Sequence, residues 1–117
     1  MNLGQNAEIK KISENLKSGM IDYIEPGETE YTEKDVEACM TLLNNFLDEI
    51  SKSDSKKQGM LCVKKVVLAL NDLNEKCEYE LIETDQREQI AEIIILGGYV
   101  RGYNARREDI TEDWREW

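Results

Sequence analysis

Apolar residues recur at three- and four-residue steps in four separate stretches of this 117-residue chain, a period that belongs to helix faces and not to strands. In AEIKKISENLKSGM the stripe is Ile9, Ile12, Leu16 and Met20, with Gly19 reading as a C-terminal stop. YTEKDVEACMTLLNNFLDEI carries Val36, Cys39, Met40, Leu43, Phe46, Leu47 and Ile50. Its start is punctuated: Thr32 suits the N-cap, Asp35 the first turn, and Tyr31 is placed to staple onto Val36. After the polar connection SKSDSKKQG, MLCVKKVVLALNDLNEKC repeats the spacing through Met60, Val63, Val67, Leu70 and Cys77, with Asn74 in the same row.

The stretch EIIILGGYVRGYN, residues 92–104, has two incompatible readings. Two apolar runs about Gly97-Gly98 match a two-residue hairpin, yet the same residues suit the buried end of a helix that uses glycine for close packing. Asp85 followed by Glu88 makes a capping box, and a helix launched there must run to about Leu96 to reach ordinary length. The spacing therefore predicts helices near 5–19, 32–52, 57–77 and 85–104, with the hairpin as the alternative for the last. Ile93, Ile94, Ile95 and Leu96 point around the whole circumference, which makes the fourth helix the most enclosed, and Gly97, Gly98 and Gly102 would admit a neighbouring backbone. Helices three and four, joined by a short acidic turn, are expected to pack as an antiparallel pair.

Residues 20–31 read as a loop in which Pro26-Gly27 suits the centre of a type II turn, with a short hairpin as the alternative. ITEDWREW reads as a short capped turn of helix from Thr111 that lays one tryptophan on the body. No repeat is present, and the length suits one core without disulfides. The expected fold class is all-α: a compact bundle of four main helices, with a central buried fourth, in one domain over residues 1–117.

Composition then removes chemistries. Without histidine the chain has no ordinary near-neutral proton shuttle, no Ser-His-Asp or Cys-His catalysis and no histidine-dependent zinc site. Cys39, Cys62 and Cys77 lack CxxC spacing and fall on apolar faces, which reads as buried reduced thiols. Neither SDSKKQGM nor NDLNEKCEYELIE supplies the ligands of a calcium loop, and the glycines lack the spacing of a phosphate-cradling loop. The acid pairs Glu30/Glu33, Glu75/Glu78 and Glu80/Glu83 are not followed by a matched pair on a later helix, as a carboxylate-bound magnesium site would need. A solvated acidic face explains them better, with a carboxylate-metal hydrolase as the last alternative. The expectation is a non-enzymatic protein with no catalytic residue, metal or cofactor. No apolar run approaches the roughly 18 residues of a membrane span, and MNLGQNAEIKK lacks the pattern of a secretory signal, so the expected compartment is the cytoplasm.

Twenty-five acidic against fifteen basic residues leave a formal charge of −10, which should repel nucleic acid. The acids are clustered: residues 22–37 carry seven with one lysine, residues 72–92 eight with Lys76 and Arg87, and residues 108–117 five with Arg115. The bland reading is a surface that keeps the protein soluble; the sharper one is recognition of a basic protein partner through Glu75, Glu78, Glu80, Glu83 and Asp85, with Glu28, Glu30 and Glu33. Tyr99, Tyr103, Trp114 and Trp117, beside Arg101, Arg106, Arg107 and Arg115, are secondary interface candidates, or pack on the domain's own surface. Asn74 either fixes register or local capping or bonds across a homodimer, and a homo-oligomeric structural or adaptor protein is the first alternative.

In size, acidity and helicity the whole chain resembles the small α-helical immunity proteins that neutralise bacterial polymorphic toxins. Many of those present acidic surfaces to basic nucleases. The resemblance implies an inhibitor of a basic protein and transfers no residue role, because no motif carries it.

Overall fold

The computed structural model describes residues 3–24, 26–27 and 29–117. A 3-10 turn, Leu3–Gln5, leads into helix α1 (Ala7–Ile24), followed by α2 (Glu33–Ser51), α3 (Lys56–Lys76) and α4 (Thr84–Val100), and no strand occurs among the described residues. The all-α four-helix bundle is thus the observed architecture.

The starts of α1, α2 and α3 each have a local cause. The Asn6 carboxamide oxygen accepts the amides of Glu8 and Ile9 at 3.0 and 3.2 Å and so caps α1. At α2 the Asp35 carboxylate accepts the Thr32 amide at 3.0 Å, as the Thr32–Asp35 spacing anticipates. Ser55 caps α3 by accepting the Gln58 amide at 3.2 Å, while the Gln58 side chain accepts from the Asp54 amide at 2.7 Å.

Three boundaries differ from expectation, and tertiary burial explains the first. Helix α1 does not stop at Gly19 but runs to Ile24, so the region expected as loop or hairpin is half helix. Met20 is fully buried, and Ile21 and Ile24 pack against the core, which outweighs the glycine's low propensity of about 1 kcal/mol. The Pro26-Gly27 turn is present with Gly27 at φ 76°, while its flanking residues 25 and 28 lie outside the described residues. Helix α4 begins at Thr84, with Glu83 at the N-cap position making no side-chain cap bond, and Asp85 lies inside the first turn instead of forming the expected box with Glu88. The start is fixed from α3, where the buried Asn74 side chain accepts the Ile82 amide at 3.0 Å.

The glycines near the end of α4 divide into two roles. Gly97 and Gly98 are buried inside the helix, which excludes the hairpin; a Cβ at Gly97 would stand 3.1 Å from the Phe46 ring of α2. Gly102 serves in no close approach. At φ 80° it is the left-handed residue after α4: its amide bonds to Tyr99 O at 2.9 Å and that of Tyr103 to Gly98 O at 2.9 Å, the paired bonds of a Schellman cap. The helix therefore ends at Val100 and not near 104.

The core is one cluster in which α2 meets each other helix, α3 packs chiefly on α2, and α4 chiefly on α1. Helices α3 and α4, expected to pack as an antiparallel pair, touch only slightly, and neither is the other's main packing partner. The connection between them passes through two consecutive left-handed residues, Glu78 (φ 56°) and Tyr79 (φ 62°), and delivers α4 onto α1. Ile90, Ile93 and Ile94 are wholly buried there, each contributing about 1.5–3 kcal/mol.

The C-terminal segment forms turns, not a helix. Asp109 caps it by accepting the amide and hydroxyl of buried Thr111, and the amides of Trp114 and Arg115 bond to Thr111 O. Asn71 on α3 then donates to Trp114 O at 2.8 Å and accepts the Glu116 amide at 3.0 Å. Both tryptophans pack against the core, where one was expected.

Candidate functional site

The connection from Cys77 to Glu83 is an anchored platform with an exposed acidic edge. Leu81 and Ile82 are buried beneath it, Asn74 holds Ile82, and the Tyr79 amide bonds to Asn74 O at 2.8 Å. Above these anchors Glu78 and Tyr79 hold left-handed backbone, which costs non-glycine residues on the order of 1 kcal/mol or more each and concentrates at functional sites. Tyr79 presents 60% of its surface to solvent.

Beside this platform lies a groove of about 480 Å³. One wall is Glu80, Glu83, Thr84 and Asp85, from the approach to α4 and its first turn; the other is Tyr23 at the end of α1 with Pro26, Thr29 and Tyr31. The two acidic stretches identified in the sequence thus meet at one place. Tyr31 is almost wholly buried and its hydroxyl donates to Met20 O at 3.0 Å. Burial, aided by Tyr23, Glu83, Cys77 and Glu80, pushes its phenol up to about 12, so it stays neutral as a hydrogen-bond donor at physiological pH.

The structure sorts the candidate residues. Glu80, Glu83 and Asp85 line the groove; Glu75 and Glu78 are exposed on the same connection or its approach; Glu30 and Glu33 are exposed outside the lining. Glu28 lies outside the described residues. None of the seven described acids forms an ion pair among the described residues, whereas Asp35 and Glu37 next to them pair with Lys76 at 3.9 Å and Lys17 at 3.0 Å. Tyr23 and Tyr31, the aromatic part of the groove, had no signal of a binding role beyond lying beside acids.

The secondary candidates are mostly engaged within the chain. The Tyr103 hydroxyl shares a 2.7 Å hydrogen bond with Ser53 and its ring lies against Gly59, while Trp114 and Trp117 pack on the core. Tyr99 is 44% exposed beneath the Arg106 guanidinium. Asn74 acts as local anchor for the α3–α4 connection.

The three thiols are free. Burial pushes Cys39 up to about 12 and Cys77 up to about 11, and raises half-buried Cys62 as well, so all three are protonated near neutrality. Among the described residues no three His, Cys, Asp or Glu side chains are grouped to hold a metal ion, and no helix is long and apolar enough to cross a membrane. Chemically, the groove's carboxylates can accept charge-assisted hydrogen bonds, and Tyr23, which is exposed, can lie against a guanidinium or ammonium. Comparison with known protein families, with curated proteins and with solved structures finds no match to this chain.

Proposed function

We propose that this chain is a non-enzymatic acidic binding protein of the cytoplasm that captures a basic protein partner, in the manner of an immunity-type inhibitor. The observation that carries this reading is the meeting of unpaired Glu80, Glu83 and Asp85 with Tyr23 and Tyr31 around one groove. Carboxylates left without internal partners keep their charge for an incoming lysine or arginine. The clustered field steers such a partner and speeds encounter. Preorganisation by Asn74, Leu81 and Ile82 lowers the ordering cost on binding.

Titration of labelled protein with a hexa-arginine peptide, followed by NMR, tests this. Shifts concentrated at Tyr23, Tyr31 and residues 78–85, weakening as salt is added, are expected. Shifts spread evenly over all acidic segments would reduce the groove to general surface charge. Co-expression with the product of an adjacent reading frame, where that product is basic, tests the inhibitory role: a stable complex and loss of the partner's activity are expected.

A further inference from the structure

All five arginines of the chain follow residue 86, while all ten lysines precede residue 77. Four of those arginines, Arg87, Arg106, Arg107 and Arg115, line a single cleft of about 440 Å³ between α4 and the segment that follows it. The cleft shares no lining residue with the acidic groove. Two of its guanidiniums are fixed from within: one Arg106 nitrogen reaches both oxygens of Glu8 at 2.8 and 3.1 Å, and Arg115 pairs with Asp109 at 3.3 Å. Arg87 and Arg107 have no carboxylate partner among the described residues. The floor is apolar, made by Ala91, Ile95 and Leu96.

We propose that this cleft binds a small molecule bearing a diphosphate group. Guanidinium forks match phosphate oxygens in shape and charge, and arginine keeps its proton in any such site. Arg106 and Arg115, paired with Glu8 and Asp109, frame the cleft, while Arg87 and Arg107 form no ion pair among the described residues and keep their guanidinium donors for a ligand. The cleft volume lies within the range of small-ligand sites, and its floor suits an organic body attached to the phosphates. Glu88 and Glu92, on the same wall, accept from hydroxyl or amine groups of that body.

Calorimetry and thermal melting with sodium pyrophosphate and with ADP, at constant ionic strength, test the site and separate its two sources. Binding of at least one probe is expected, tighter for ADP if the floor holds an organic body and tighter for pyrophosphate if the phosphates alone are recognised. The doubly substituted Arg87→Gln/Arg107→Gln protein should bind about tenfold or more weakly. Lys56→Gln with Lys57→Gln, which removes equal charge outside the cleft, should change affinity little. Absence of binding by both probes overturns the proposal. So does an affinity unchanged in the arginine variant, or lowered equally in the lysine variant.

Discussion

The Asn74 side chain, 3% exposed at the end of α3, accepts the backbone amide of Ile82 at 3.0 Å and so fixes where α4 begins. A single polar side chain inside the apolar row thereby sets the position of Glu80, Glu83 and Asp85. Replacing it with leucine should leave the Ile82 amide buried without an acceptor and destabilise the fold by about 1–3 kcal/mol. Urea unfolding of Asn74→Leu measures this; an unchanged midpoint would mean that water reaches the amide.

Gly97 faces the Phe46 ring at a distance where one added carbon already presses on it. Gly97→Leu should therefore cost about 1–3 kcal/mol through overpacking at the α2–α4 contact. Melting temperature reads this directly, and a stable leucine variant would show that Phe46 can turn away without loss.

Charge reversal at the groove should separate binding from folding. Glu80 and Glu83 form no ion pair among the described residues, so Glu80→Lys with Glu83→Lys should alter melting by less than about 1 kcal/mol. Association with the hexa-arginine peptide or a basic partner should slow, and lose most of its salt dependence. Stopped-flow rates across a salt series decide it.

Alkali should weaken the fold well before backbone chemistry intervenes. Cys39 and Cys77 rise from 9.0 to about 12 and about 11, and Tyr31 from 10.0 to about 12, in each case with burial first among the causes. The native state therefore keeps protons that the unfolded chain gives up. Stability is full below pH 9 and falls as pH climbs toward 12. Tyr31→Phe should flatten the part of that fall above pH 10, as seen in urea midpoints against pH; a wild-type midpoint level across this range would contradict the burial of these groups.

Periodicity located the four helices because each buries one continuous stripe, a local property of sequence. Boundaries were legible where local chemistry sets them, as at Thr32 and Asp35, and misread where a distant contact does. Gly19 lies mid-helix because Met20, Ile21 and Ile24 bury against other helices, and Asp85 is no cap because Asn74 holds Ile82. The helix through Gly97-Gly98 is present although the capping box that favoured it is not; the burial of Ile90, Ile93, Ile94 and Leu96 sustains it. Likewise the acids were visible as charge, but the groove was not. Tyr23 meets Glu83 only through the packing of α1 on α4, and Tyr31 is held there by its bond to Met20 O of α1; no spacing rule reports that.

That packing also orders assembly in time. Helices α2 and α3 are neighbours in sequence and close on each other across a short connection, whereas α1 and α4 must find each other across both of them. Chain entropy delays such a distant closure, and the elements that join last tend to part first. Native-state hydrogen exchange should then detect lower opening free energies in α1 and α4 than in α2 and α3. The groove spans that seam, with Tyr23 on one side and Thr84 and Asp85 on the other. A partner gripping both sides would act as a latch, slowing exchange across α1 and α4 by an amount set by its own affinity.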